Sequence, residues 1–280
     1  MERKVIKVPK KYTYLNELKD AEEVEVSKHF KNGLPVNCLF DKGKTGCGGT
    51  TVALTNDKDT IIAMPYVATI KNKVIQSKQK KEDYPFELFG IYANVTDYDI
   101  LDYINTHEVK KLLVTYDSLN RLIEIIPNIY NDYYLLVDEY HVLFTNYQFR
   151  DKAVKNTLFH SKNFKEVTYM TATPIEEEFR LKELSDLPVV AVEWEDVVKP
   201  NILSMATNLP INKVCELIKD RINGKTFNYN LHFFINSVDF IAQAINKAGL
   251  TPEQVRVICS ENTNVGKGKK TNQKKLGVDY

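Results

Sequence analysis

Asp41-Lys42-Gly43-Lys44-Thr45-Gly46-Cys47-Gly48-Gly49-Thr50-Thr51 follows a short apolar run, Val36–Phe40, and opens a segment of helical composition. A loop that cradles phosphate between a strand and a helix needs the pattern G-x-x-x-x-G-K-[ST]. Its glycines let successive backbone N–H groups face the anion, and the hydroxyl that follows reaches magnesium. Gly43 and Gly48 stand at that spacing and Thr50 fills the hydroxyl position, but the lysine position is Gly49. Gly43–Thr51 therefore reads as a phosphate loop without its usual cation, the plainer alternative being a glycine-rich turn. Two other G-K-T triplets lack the context: Gly43-Lys44-Thr45 would need a glycine where Cys38 stands, and Gly224-Lys225-Thr226 would need one at Lys219.

Outward from this loop, β-branched and aromatic runs alternate with segments of helical period, the rhythm of a parallel sheet with crossover helices. The expected strands are 36–40, 60–64, 86–91, 111–115, 133–137, 165–170 and 188–192. Several are apolar throughout, as strands covered on both faces are. Between two of them Asp117 is positioned to cap a helix with an apolar stripe of Leu119, Leu122, Ile123 and Ile126, stopped by Pro127. The fold class is thus α/β with a parallel sheet. The domain organisation expected is an N-terminal extension over 1–35, a first domain over 36–195, a connector over 196–205 around Pro200, and a partial second α/β lobe over 206–280. In that lobe helices are expected at 211–222 and 237–248 and strands at 231–235 and 254–258. Two strands do not complete a second domain, which implies either a truncated chain or a reduced native lobe.

Two more strand ends carry chemistry. Tyr133–Val137 delivers Asp138-Glu139-Tyr140-His141, and a nucleotide hydrolase needs such a pair, one carboxylate to hold magnesium and the next to orient or deprotonate the attacking water. His141 has no His or Cys at ligand spacing and reads as a strand-end histidine rather than a metal ligand. The run 167–170 leads into Thr171-Ala172-Thr173-Pro174, a turn rich in hydroxyls.

Together and in this order, the three segments resemble the first RecA-like domain of a superfamily 2 helicase of the DExH/DEAD type, whose order is phosphate loop, D-E-x-H box and S/T-A-T turn. The resemblance implies ATP on Gly43, Lys44, Thr45, Gly46, Cys47, Gly48, Gly49, Thr50 and Thr51. It implies magnesium on Thr50 and Asp138, catalysis by Asp138, Glu139 and His141, and coupling through Thr171, Ala172 and Thr173. Ala63-Met64-Pro65-Tyr66 and Val114–Leu119 resemble the family's weaker motifs, which implies nucleic-acid backbone contacts at Pro65, Tyr66, Thr115, Tyr116, Asp117 and Ser118. Phe233–Ser237 followed by Val255–Glu261 resembles the opening of a second RecA-like domain, so the resemblance runs from about residue 33 onward.

The function implied is a nucleic-acid-dependent ATPase, helicase or translocase in type, with ATP and magnesium as cofactors and DNA preferred to RNA as partner. Two departures weigh on it: Gly49 replaces the loop lysine, and the family's late arginines lie beyond this chain, leaving an arginine finger to a partner or further lobe. A catalytically impaired nucleic-acid-binding or scaffolding module is the alternative. A P-loop kinase fits poorly with Thr171–Pro174 after the Asp-Glu strand. Lys42 and Lys44 each have a flexible stem that can bring an ammonium to a phosphate, the alternative being that both are solvated lysines beside the loop.

Composition bounds the rest. The 280 residues are 43% hydrophobic and 27% charged, with 38 Lys plus Arg against 37 Asp plus Glu. That is a globular composition, with a near-neutral balance that makes any basic groove local. The Lys-rich run Lys267, Lys269, Lys270, Lys274, Lys275 reads first as a solvated loop and second as a backbone-tracking segment. Cys38, Cys47, Cys215 and Cys259 are dispersed, as reduced thiols of a cytosolic protein are. No run approaches the roughly 18 apolar residues of a membrane span or resembles a secretory leader, so a cytoplasmic setting in a bacterial-type cell, phage-infected included, is expected.

Overall fold

The computed structural model describes residues 3–92, 94–145, 151–197, 204–225, 230–251, 253–257, 262–265 and 268–271. The chain divides into two compact units, Met1–Lys199 and Pro200–Tyr280. The first contains strands β1 (Arg3–Val8), β2 (Cys38–Asp41), β3 (Thr60–Met64), β4 (Leu88–Ile91), β5 (Lys111–Thr115), β6 (Tyr134–Asp138), β7 (Glu166–Thr171) and β8 (Val189–Trp194). Its helices are α1 (Val24–Ser27), α2 (Gly49–Thr55), α3 (Val67–Gln79), α4 (Asp97–Thr106), α5 (Leu119–Ile125), α6 (Ile129–Asp132), α7 (His141–Thr145) and α8 (Asp151–Ser161).

The strands form one eight-stranded sheet in the order β1-β8-β2-β7-β6-β3-β5-β4, parallel throughout. The strands from β2 to β8 alternate their side chains between two cores. Leu39, Ile61, Ala63, Leu135 and Val137 join one core, while Phe40, Ile62, Met64, Leu136 and Met170 join the other. Burial on both faces is why these strands read as unbroken apolar runs.

The topology creates the site. β2 and β3 are consecutive in sequence, yet β7 and β6 lie between them, so the loops leaving β2 and β3 diverge. A crevice opens at the carboxyl ends of the strands, where open α/β sheets bind ligands. Register aligns those ends, with Asp41 opposite Thr171 and Asp138 opposite Met170.

Three differences from the sequence reading have physical causes. β1 lies inside residues 1–35, where no strand was expected. It is an edge strand buried only at Ile6 and Val8, so half-covered alternation replaces the apolar run. The strand before the glycine-rich loop begins at Cys38, because Asn37 takes a left-handed φ of 53° and its side chain bonds Val167 N and Lys165 O. The helix after β5 starts at Leu119 through a tight turn over Tyr116–Ser118, not from a cap at Asp117.

In the second unit α9 (Pro210–Ile222) packs on α10 (Val238–Ala248), with Cys215 Sγ 3.6 Å from Ala244 O. α10 starts on a Ser237 cap and ends at Gly249 with φ 67°. The expected strand at 231–235 is irregular and Phe234 is fully exposed, and residues 254–257 form a turn and coil, with 258 outside the described residues. Neither segment finds a ladder partner among the described residues, and an extended segment without one leaves its backbone groups to solvent. The strands found are instead a short antiparallel pair, β9 (Asn262–Val265) and β10 (Gly268–Thr271). β10 takes in Lys269 and Lys270 of the run expected to be a loop, while Lys267, Lys274 and Lys275 lie outside the described residues. So do residues 198–203 of the expected connector, Thr226, and Cys259. No helix among the described residues is long and apolar enough to cross a membrane, and Cys38, Cys47 and Cys215 are free thiols.

Candidate nucleotide site

The crevice is a cleft of about 1370 Å³ walled by the loop 46–51, by Asp138, Glu139, His141 and Val142, by Pro65 and Tyr66, and by α3. The loop is shaped by glycine. Gly48, at φ 82°, turns the chain into α2, and a Cβ on Gly43 would fall 2.1 Å from Val192 O and 2.9 Å from Trp194 Cδ1. Trp194 Nε1 donates to Lys42 O at 2.8 Å and Lys42 N to Thr171 O at 2.9 Å, which anchors the loop's first residues to β8 and β7.

The carboxylate pair arrives as expected at the end of β6. Asp138 is 6% exposed, and its Oδ2 accepts from Thr50 Oγ1 at 3.2 Å. Its Oδ1 is buried without a hydrogen-bond partner, Lys42 Nζ standing 3.9 Å away. Burial pushes this carboxyl above the ordinary range, and Glu139 adds to that rise against the opposing pull of Lys42 and Thr50. Glu139 follows with a left-handed φ of 54°, a conformation that costs a non-glycine residue of order 1–3 kcal/mol and persists only where the surroundings hold it. The buried Tyr116 hydroxyl does part of that holding, donating to the Asp138 carbonyl and approaching the Glu139 carbonyl at 3.3 Å.

Around the Glu139 carboxylate stand Lys42 Nζ, 2.7 Å from Oε1, and His141 Nδ1 and Thr171 Oγ1, 3.3 and 3.4 Å from Oε2. His141 Nδ1 also lies 2.8 Å from Thr171 Oγ1, and Thr171 Oγ1 accepts from Thr173 N at 3.0 Å. His141 thus bridges the box to the hydroxyl turn. For Lys42, burial pulls the ammonium down, but Asp138 and Glu139 together outweigh it and its pKa ends above the usual lysine value.

Of the other residues singled out in the sequence, Gly46, Cys47, Gly48, Gly49, Thr50 and Thr51 line the cleft, while Gly43, Lys44 and Thr45 do not. Lys44 pairs with Asp196 at 3.1 Å and lies 3.9 Å from the Trp194 ring centroid. Gly49 is buried, and a Cβ there would sit 2.5 Å from Met170 Sδ, so a side chain fits only if that thioether shifts. Tyr66 is exposed at the rim and Pro65 is buried, whereas Thr115 is buried with its hydroxyl on Ser118 Oγ at 3.1 Å. Tyr116 is committed beneath the box, leaving Asp117 exposed.

Two walls of the cleft were not anticipated. Thr69, Lys73, Gln76 and Lys80 recur along one face of α3 and its end, and Tyr14, Asn16 and Lys19 come from the N-terminal segment. The Lys73 ammonium is pulled below its ordinary value by burial, with Lys42 adding and Asp138 opposing. A polar i, i+4, i+7 stripe opposite Ile70 and Val74 was the available sign, and it also reads as an ordinary solvated face.

No family model and no curated protein sequence matches the chain. Solved structures do. The DUF1998 helicase MrfA, bound to DNA and AMPPNP, superposes with a TM-score of 0.50 at 12% identity, over 89% of this chain and 40% of that one. Mss116p, bound to ssRNA and AMP-PNP, gives 0.49 at 14% identity, over 87% of this chain and 61% of that one. The chain spans less than two thirds of the length of either neighbour. The eight-stranded parallel sheet of the first unit and the likeness of the chain to MrfA show a helicase-like RecA fold.

Proposed function

We propose that the protein is a nucleic-acid-dependent ATPase of the helicase or translocase type, binding ATP with magnesium in the cleft above β2, β7 and β6. The observation that carries this reading is the Asp138 carboxylate. One oxygen is held by Thr50 and the other is buried without a hydrogen-bond donor, in a residue that lines the cleft. A buried carboxylate oxygen without a donor costs free energy unless a ligand completes it. Nucleotide magnesium takes one or two carboxylates, with phosphates and water filling its octahedron, and Asp138 with Thr50 fits that requirement. The ion supplies charge neutralisation at the phosphates. Glu139 holds the attacking water and accepts its proton, while His141 and Thr171 fix the Glu139 carboxylate and carry its position to Thr173. Pro65, Tyr66, Asp117 and Ser118, with the backbone around Thr115 and Tyr116, form the nucleic-acid side, DNA being preferred to RNA. The arginine finger comes from a further lobe or partner, and the setting is cytoplasmic.

The alternative is a nucleic-acid-binding module without turnover, and one contact favours it: Lys42 occupies the oxygen of Glu139 that a water would need. Steady-state ATP hydrolysis with magnesium, with and without single-stranded DNA or RNA, separates the two. Stimulated turnover that Glu139→Gln abolishes while ATP still binds is the expected result. Nucleic-acid binding without turnover under any condition would leave the module reading.

A further inference from the structure

We infer that Lys42, delivered from the end of β2, is the cation for the terminal phosphates of the nucleotide, in place of the lysine that Gly49 excludes; this assignment rests on the nucleotide-site reading above. Gly49 is closed by packing. Its missing Cβ would lie 2.5 Å from Sδ and 3.1 Å from Cε of Met170, a residue with no exposed surface, and 3.5 Å from Leu15 Cδ1. A side chain at that point requires the buried Met170 thioether to shift.

The cleft nevertheless contains an ammonium at the hydrolytic carboxylates. The Lys42 side chain is 8% exposed, lines the cleft, and has Nζ 2.7 Å from Glu139 Oε1 and 3.9 Å from Asp138 Oδ1. Its main chain is clamped by Thr171 and Trp194, so a change of partner is made by the four-carbon stem alone, as a point charge on a flexible arm allows. Lys44 is engaged with Asp196 and Trp194 and does not line the cleft. Lys73 lines it from α3 but makes no ion pair with either carboxylate within 4 Å.

The position has a consequence for the base. When Lys42 Nζ moves from Glu139 to a phosphate, Oε1 is released toward water. The step that neutralises phosphate charge therefore also frees the group that activates the nucleophile, and a chain lacking phosphate in the cleft keeps Glu139 engaged.

The test uses the full chain with magnesium and a competition titration of ATP, ADP and AMP. Lys42→Met should lose ATP and ADP affinity by roughly 10- to 100-fold, as loss of a charged hydrogen bond does, with AMP affinity unchanged. Lys162→Ala, an exposed lysine beside Phe159, should match the wild type. A second measurement needs no variant. The γ-acyl phosphate of ATP transfers its acyl group to a lysine amine beside the terminal phosphate, forming an amide and releasing ATP, and mass spectrometry locates the label. Acylation of Lys42 is expected. Equal ATP affinity in Lys42→Met, or a label on Lys73 or Lys44 instead, overturns the assignment while leaving the nucleotide site standing. A wild-type chain that neither binds ATP nor takes the label overturns the site reading and the assignment with it.

Discussion

Replacing Gly49 by alanine puts a number on the closure of the glycine-rich loop. The added methyl would stand 2.5 Å from Met170 Sδ, against about 3.5–4.0 Å for an unstrained contact, so the sulfur must retreat by roughly an ångström. Met170 lies wholly inside the core that contains Phe40, Leu54 and Met64, and overpacking of that kind costs about 1–3 kcal/mol. Alanine returns at most about 1 kcal/mol of helix propensity, and less at the first residue of α2. The net expectation is a loss of about 1–2 kcal/mol, which lowers the melting temperature of a unit of this size by roughly 2–8 °C. Circular dichroism against temperature and urea reads it. In a Met170→Ala background the same substitution should be neutral or stabilising, which gives a coupling of about 1 kcal/mol or more between the two positions. Gly49→Lys should destabilise at least as much as alanine and add nothing to ATP affinity. If Gly49→Ala stabilises the otherwise wild-type chain, or Gly49→Lys tightens ATP, the steric account of the missing lysine is wrong.

Two other sites give independent tests. Tyr116→Phe removes the hydroxyl that holds the Asp138 and Glu139 carbonyls; it should cost about 1–3 kcal/mol and reduce hydrolysis as the strained Glu139 turn relaxes, and unchanged stability would show that the turn is held by other contacts. Lys111, fully buried at the start of β5, donates to Ala53 O, Asn56 Oδ1, Lys58 O and Thr60 Oγ1 beside the Phe86 ring, and burial brings its pKa down to about 7 against the pull of Asp59 and Asp57. The unfolded chain, with an ordinary lysine, binds the proton more tightly, so stability should rise as pH climbs from about 7 toward 10. Below 7, with lysine protonated in both states, that contribution is flat. Urea midpoints across pH 6–9 check the slope, and Lys111→Met should abolish it while lowering stability overall, because buried oxygens lose their donor.

Much of the fold was legible because its decisive signals are local. An apolar run flanked by polar residues marks a doubly covered strand wherever its neighbours lie. Asp138, Glu139 and Thr171 follow such runs directly, so their arrival at one edge of the sheet could be expected from order alone. Thr60–Met64 and Lys111–Thr115 match their expected limits residue for residue. The second unit was misread where this logic fails, since Leu231–Ile235 has the composition of a strand but no ladder beside it among the described residues.

What needed three dimensions was everything decided across the sheet. The motif order, the parallel α/β class and the absence of a lysine at position 49 were settled by sequence, because each is a matter of residue type and spacing. That β1 closes the edge beside β8, that α3 and Tyr14–Lys19 wall the cleft, and that Lys42 meets Glu139 while Lys44 meets Asp196 were decided by tertiary structure. Lysines two residues apart in one loop differ only in where the strand and its neighbours direct their stems. The vacancy at Gly49 has the same origin: sequence shows which residue is missing, and the packing of Met170 shows what a side chain there must displace.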